Sequence, residues 1–135
     1  MSQENIEVVQ AGFEAWGRGE MEAMLELIDP GIEWTVRPDL PDAGIYRGHE
    51  ELAKLFARFE EVLEDQWVEP QEFIDGGEDC VIVPLHWGGR GKLSGVEVSE
   101  RQGETWVFTV QGGRVTRVTE FRRKAEALAA AGLSE

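Results

Sequence analysis

His86 is the side chain of this sequence that best suits acid–base chemistry. It interrupts a predicted strand, Cys80–Gly91, that is apolar on both faces, with Ile82 on its own side and Val83 on the other. Burial between two layers disfavours the charged form of an imidazole unless a carboxylate such as Glu120 compensates. Two interpretations of His86 stay open: a general acid or base in a pocket, or a core histidine held by structural hydrogen bonds or a dimer contact.

The other reactive motifs in the sequence are incomplete. The run Gly88–Gly95 lacks the Walker pattern, because His86 and Leu93 occupy the places of the first glycine and the hydroxyl. Glycines inside a long strand instead mark bulges and a bent sheet. A zinc site is short of ligands, since His49, His86 and Cys80 are the only histidines and cysteine. The sequence therefore predicts no metal and no cofactor, with a histidine–carboxylate site as the alternative.

Aromatic side chains indicate where a ligand would bind. A small sheet carries several of them: Trp34, Tyr46, Trp87, Trp106 and Phe108. Core packing explains most of these rings. For Trp34 and Trp106 the alternative is a pocket wall, since small-molecule sites are mainly apolar with a few placed polar groups. We expect these two and Tyr46 to border such a pocket, with His86 or Glu120 as its most perturbed titratable group.

The charge of the chain limits its partners. With 27 acidic and 13 basic residues the net charge is −14, which repels nucleic-acid phosphates and anionic membrane surfaces. The 135 residues fit one domain over residues 1–135. The single cysteine, Cys80, cannot form an internal disulfide, and the N-terminus does not resemble a signal peptide. We therefore expect a cytoplasmic protein with neither nucleic-acid nor membrane partners.

The periodicity of apolar residues predicts an α+β order of elements. Helical spacing predicts helices around Ile6–Trp16, Met21–Ile28 and Gly48–Leu63. Alternation predicts strands at Ile32–Arg37, Trp67–Ile74, Cys80–Gly91, Val96–Gln111 and Arg114–Arg123. An alanine-rich helix, Glu126–Gly132, follows the last strand.

Two adjacent glycines, Gly112 and Gly113, separate the last two predicted strands. A two-residue glycine loop between alternating runs is a strong signal for a β-hairpin. A regular ladder from this turn predicts the following pairs: Val110 with Val115, Phe108 with Arg117, Trp106 with Thr119, and Thr105 with Glu120.

Four segments carry a resemblance to a known family: Gly17–Ala23, Asp29–Trp34, Tyr46–Leu52 and Gly112–Val118. They mark helix stops and turns, and the similarity that they indicate extends over nearly the whole chain. On these segments the sequence resembles the nuclear transport factor 2-like (NTF2-like) superfamily, and within it the small SnoaL-like, or polyketide-cyclase-like, bacterial proteins.

This resemblance implies a cone-shaped domain of cystatin-like fold. In such a domain a strongly bent mixed sheet wraps around three helices and encloses an apolar pocket, commonly in a homodimer. Its members include ketosteroid isomerases, polyketide cyclases, epoxide hydrolases, dehydratases and proteins without known activity, so the fold does not select a reaction.

The sequence departs from the enzymes of this family at their reactive positions. Phe13 replaces the tyrosine that an isomerase carries on the first helix, and no aspartate follows Asp79. The isomerase pattern and the paired-aspartate pattern of the epoxide hydrolases are therefore missing. The resemblance leaves Asp39 or Asp42 as a loop base, and it places Trp106 near the position of the strand acid.

Two functions remain on this reasoning. The preferred one is a small-molecule-binding protein that holds a small hydrophobic molecule in an apolar pocket formed by Trp34, Tyr46, Arg90, Trp106 and Glu120. The alternative is a lyase- or isomerase-type enzyme for a small hydrophobic carbonyl compound, with catalytic residues His86 or Asp39 as base and Tyr46 or Arg90 as donor. A docking module with an exposed sheet face is a third hypothesis.

The outer face of the predicted sheet suggests an oligomer. Apolar residues occupy both faces of the segment Cys80–Trp87, and one layer of helices covers only one of them. We therefore expect a homodimer that buries the outer face.

Overall fold

A computed structural model describes residues 2–99 and 103–133 of the chain, and over these residues it contains four helices and one curled sheet. The helices are α1 (Ser2–Gly17), α2 (Met21–Glu26), α3 (Gly48–Val62) and α4 (Lys124–Ala130). The first three pack on the concave side of the sheet and α4 packs on the convex side. This architecture confirms the predicted α+β class.

The sheet of the described residues is mixed and has eight strands. The strands are β1 (Ile28–Val36), β2 (Gly44–Arg47), β3 (Leu63–Pro70), β4 (Ile74–Asp75), β5 (Cys80–Gly91), β6 (Glu97–Ser99), β7 (Glu104–Gln111) and β8 (Arg114–Phe121). Their order is β2-β1-β8-β7-β5-β3, with β4 and β6 also paired to β5. The pairing of β1 with β8 is parallel, and the other pairs are antiparallel.

Several predicted element boundaries are wrong. The predicted strand Trp67–Ile74 is divided into β3, which already begins at Leu63, and β4. Ile28 belongs to β1 and not to the second helix, because the strand begins before Pro30 and continues through an irregularity in its pairing with β8. The predicted strand Val96–Gln111 is interrupted, since Gly103 has φ +73°, a left-handed conformation that ends a ladder. Residues 100–102 of that predicted strand lie outside the described part of the chain.

The last hairpin contains a β-bulge that changes its register. The pair next to the turn, Val110 with Val115, forms as predicted. The register then shifts by one residue, so Trp106 pairs with Glu120 and not with Thr119. The other observed pairs replace the predicted ones for the same reason: Phe108 with Val118, and Thr105 with Phe121. A shift of one residue reverses the faces of a strand, and it brings Glu120 to the face that carries Trp106.

The main core fills the concave side of the sheet. Leu52 and Leu55 of α3 are 0% and 1% exposed and pack into it, as their helical spacing predicts. Ile32 of β1 and Val83 of β5 contribute from the sheet. Burial of these large side chains is the main term that holds the helices to the strands.

The convex side of the sheet carries a smaller apolar cluster. Ala127 and Leu128 of α4 pack against Ile82, which is fully buried. Part of the outer face is thus covered by the chain itself, and the predicted homodimer stays a prediction. Among the described residues, no helix is long and apolar enough to cross a bilayer.

Candidate functional site

A cavity of about 60 Å³ lies between α1 and the concave face of the sheet. All of its wall residues are apolar or aromatic: Val8, Val9, Gly12, Phe13, Trp16, Met24, Leu27, Ile28, Trp34, Phe56, Trp106, Phe108 and Val115. The bent sheet and α1 diverge here, and large rings fill most of the space between them.

Aromatic rings form a connected group around this cavity. Trp34 and Trp106 meet edge to face, with 5.2 Å between ring centroids. Phe56 lies edge to face on Trp34 at 5.6 Å, and Phe13 stacks on Trp106 at 6.1 Å. Phe108 meets Phe13 edge to face at 5.7 Å. The β-strands supply the two indoles and Phe108, while α1 and α3 supply the other rings.

The indole N–H groups of the site are bound to two glutamates. Trp34 Nε1 donates to Glu120 Oε2 at 2.8 Å, and Trp106 Nε1 donates to Glu104 Oε1. Trp87 Nε1 donates to the other oxygen of Glu104 at 3.1 Å. Buried indoles need such partners. The N–H groups of Trp34 and Trp106 are therefore already occupied by protein acceptors.

Glu104 forms a buried ion pair with Arg37. Their side chains are 2% and 4% exposed, and Arg37 Nη1 lies 2.8 Å from Glu104 Oε2. The same guanidinium donates twice to the exposed carboxylate of Asp39, at 3.0 and 2.9 Å. A buried guanidinium is stable only with such charge-assisted partners. Arg37 directly follows β1, and this position brings it next to Glu104, the first residue of β7.

Glu120 is a strongly perturbed carboxyl group. Burial and, second, the nearby charge of Glu104 raise its pKa from 4.5 to about 7. The hydrogen bonds from Trp34 and from the backbone N–H of Arg37 act in the opposite direction. A carboxyl group with this pKa exchanges a proton near neutral pH.

The structure places His86 outside this site and corrects the prediction that it is buried. Its side chain is exposed on the convex side of β5, opposite Glu69 of β3. The helix α4 covers Ile82, but His86 lies four residues further along the strand. The strand residues Val81, Ile82 and Val83 are buried on both faces of the sheet. At His86 the convex face is no longer covered, and the side chain is exposed.

The other predicted site residues also lie apart from the cavity. Tyr46 donates its hydroxyl proton to the carbonyl of Asp42 at 2.7 Å, and it lines a separate surface groove beside α3. Arg90 makes an exposed ion pair with Asp65 at 3.3 Å. Hydrogen bonds from Arg37 lower the pKa of Asp39, which makes this carboxylate a weaker base. Of the predicted set, Trp34, Trp106 and Glu120 come together.

Three residues of the polar network were missed by the sequence analysis: Arg37, Trp87 and Glu104. A signal for Glu104 was present, since it shares the inward positions of β7 with Trp106, Phe108 and Val110. Of the two late glutamates in this network, Glu120 was predicted from the sequence and Glu104 was not. No pattern signals the burial of Arg37, because it lies just beyond the last residue of β1.

Metal ligands do not converge in the described part of the chain. Over residues 2–99 and 103–133, no group of three His, Cys, Asp or Glu side chains has an arrangement that could hold an ion. His49 has a structural contact instead, with its Nε2 2.7 Å from the carbonyl oxygen of Ile28.

The sequence matches the family model described as SnoaL-like domain over residues 9–118. A solved NTF2-like protein from Burkholderia xenovorans LB400 is 31% identical, with 97% of each chain covered and a TM-score of 0.76. No protein of curated function matches the sequence.

Two more distant structures share the fold and hold small molecules. TerC, co-crystallised with polyporic acid, is 21% identical, with 96% of this chain and 98% of that chain covered and a TM-score of 0.76. A protein from Catenulispora acidiphila DSM 44928 with a ketosteroid isomerase-like fold, in complex with trimethylamine, is 20% identical. That match covers 94% of this chain and 93% of that chain at a TM-score of 0.72.

Proposed function

We propose that this chain, which belongs to the SnoaL-like domain family, binds a small molecule through apolar contacts in the aromatic cavity between α1 and the sheet. One observation carries the proposal: the wall is apolar throughout, and the N–H groups of Trp34 and Trp106 are bound to glutamates. A ligand there meets ring faces and aliphatic groups, without a hydrogen-bond donor from these indoles.

The volume of the cavity limits the size of the ligand. One water-sized group needs roughly 10–15 Å³, and the cavity of about 60 Å³ exceeds this. A cavity of this volume favours a compact ligand over a steroid or a polyketide. Among the structural relatives, the complex with trimethylamine supports a ligand of this size, and the complex with polyporic acid supports small-molecule binding by the fold.

Gly12 supports the view that this space is functional. It lies inside α1 and lines the cavity, and a Cβ at this position would meet no atom within 4 Å. A glycine inside a helix is less stable than an alanine by roughly 0.5–1 kcal/mol. The helix thus forgoes stability at a position where a methyl group would fit into the cavity.

An acid–base enzyme is the second candidate, and the raised pKa of Glu120 favours it. A carboxyl group that titrates near pH 7 suits proton transfer at physiological pH. In this alternative Glu120, and not His86 or Asp39, moves the proton of a small carbonyl compound. The substrate would have to displace the indole of Trp34, because Glu120 is not among the residues of the cavity wall.

Binding of xenon and isobutane tests the first proposal. NMR titration should shift the indole N–H signals of Trp34 and Trp106 in the parent protein. Gly12→Ala should weaken binding, since its methyl group enters the cavity, while Gly17→Ala is the matched control at the end of the same helix, where a Cβ also meets no atom. Absence of binding by both probes, or equal binding by both variants, would contradict the proposal.

A further inference from the structure

The chemistry of the cavity wall restricts the ligand further than its size. The wall contains six aromatic rings, from Phe13, Trp16, Trp34, Phe56, Trp106 and Phe108. Ring faces carry negative potential, and they attract cations that lie within ~6 Å of the ring centroid. Tryptophan is the strongest ring for this interaction, and three of the six rings are tryptophans.

We propose that the ligand of the cavity is a small alkylated ammonium cation, held by these ring faces and by the carboxylates behind them. This inference rests on the proposed function, because it requires that the cavity is the ligand site. It goes further, since it assigns the ligand a positive charge and excludes neutral hydrocarbons as the preferred class.

The hydrogen bonds of the indoles strengthen the ring faces. Trp34 and Trp106 donate their N–H groups to Glu120 and Glu104, and neither glutamate lines the cavity. A donor that is bound to a carboxylate is polarised, and electron density moves toward its own ring. The faces of these two indoles are therefore more negative than those of a free indole.

The charges behind the indoles also favour a cation. Arg37 is paired with two carboxylates, Glu104 and Asp39, and Glu120 adds a third carboxyl group on the same side. The chain as a whole carries a net charge of −14, which raises the local concentration of cations. A neutral ligand is attracted neither by these carboxylates nor by the net charge of the chain.

The apolar lining selects the substituents on the nitrogen. An ammonium N–H would find no acceptor on this wall, and burial of an unsatisfied donor costs several kcal/mol. A quaternary nitrogen has no such donor, and its methyl groups contact aliphatic and aromatic carbon. Tetramethylammonium is the compact cation of this class, since four methyl groups surround its nitrogen.

Titration with a cation and its neutral isostere tests this inference. Tetramethylammonium and neopentane have nearly the same shape and differ in charge. At pH 8 the shifts of the Trp34 and Trp106 indole N–H signals should give the cation an affinity about tenfold higher, which corresponds to a cation–π term of about 1–2 kcal/mol. Methylammonium, which retains N–H donors, should bind more weakly than tetramethylammonium.

The outcomes separate this inference from the proposed function. If neopentane binds as tightly as tetramethylammonium or more tightly, the charge assignment is wrong and the apolar binding function stands. If neopentane, xenon, isobutane and the cation all fail to bind, the proposed function fails as well.

A pair of variants locates the effect in the rings. Phe13→Leu removes one ring from the wall but leaves an apolar side chain, and it should reduce the affinity ratio of cation to isostere severalfold. Phe73→Leu is the matched control, because Phe73 touches Phe13 edge to face at 6.1 Å but does not line the cavity. An unchanged ratio in Phe13→Leu would overturn the assignment to ring faces.

Discussion

The Trp34–Trp106 pair separates two regions of the interior that differ in chemistry. On one side the two rings border an apolar cavity. On the other side the N–H groups meet Glu104 and Glu120, and Arg37 lies beside them in a dense set of hydrogen bonds. The same two side chains serve both regions because an indole combines an apolar face with one polar edge atom.

This difference implies that the two regions respond to different substitutions. In the polar region, removal of one charge leaves a buried partner without compensation. In the cavity the wall residues carry no charge, so ligand binding depends on the volume of the cavity and on its aromatic rings. Substitutions that alter charge should therefore act on stability, and substitutions that alter volume should act on ligand binding.

Glu104→Gln should have the largest effect on stability. It keeps one acceptor oxygen, replaces the other by an NH2 donor, and removes the negative charge that Arg37 meets in the interior. Breaking a buried ion pair in this way typically costs about 3–5 kcal/mol. Urea denaturation at pH 7 measures the loss. Asp39→Asn is the control, since it changes the exposed partner of the same guanidinium, and an equal loss in both variants would contradict the buried pair as the stabilising element.

Glu120→Gln should change how stability depends on pH. A carboxyl pKa that is raised from 4.5 in the unfolded chain to about 7 in the folded protein means that the folded state binds the proton more tightly. The free energy of unfolding should fall as pH rises from about 4.5 to about 7 and stay low above that. The variant lacks this titration and should be more stable than the parent at pH 8 by up to about 3 kcal/mol.

The measurement for Glu120→Gln is chemical denaturation of both proteins at pH 4.5, 6 and 8. The two stabilities should be similar at the lowest pH and diverge as pH rises. Parallel curves for parent and variant would show that Glu120 has an ordinary pKa, and would also remove the main support for an acid–base role.

His86→Ala should have the smallest effect. The side chain is exposed on the convex side, and surface substitutions usually change stability by no more than about 0.5 kcal/mol. Thermal unfolding and the xenon titration should both resemble those of the parent. A loss of about 1–3 kcal/mol would instead support the earlier interpretation of a histidine with a buried hydrogen-bond partner.

The order of elements was predictable from the sequence because it depends on local patterns. The stripe that includes Leu52 and Leu55 predicts α3, and the adjacent glycines predict the last turn. Trp34 and Trp106 were predicted as pocket residues from their size and position alone. These inferences need no information about distant parts of the chain.

The polar half of the site was not predictable by the same reasoning. A regular hairpin would place Thr119 opposite Trp106, whereas the bulge places Glu120 there. The spacing of three between Val115 and Val118 is the one sign of this bulge, since a regular strand repeats every second residue. Arg37 is buried through tertiary contacts with β7, which leave no trace in its neighbours along the chain.

The parallel pairing of β1 with β8 determines when this protein can fold. The bond between Trp34 and Glu120 joins residues 86 positions apart. At ~5–20 residues per second, a ribosome needs roughly 4–17 s to pass from the end of β1 to the end of β8. During that interval the edge of β1 that will face β8 has no strand to receive it, and Trp34 lacks its acceptor. The site is therefore among the last parts of the molecule to form, and a nascent chain exposes an unpaired aromatic strand that chaperones can bind.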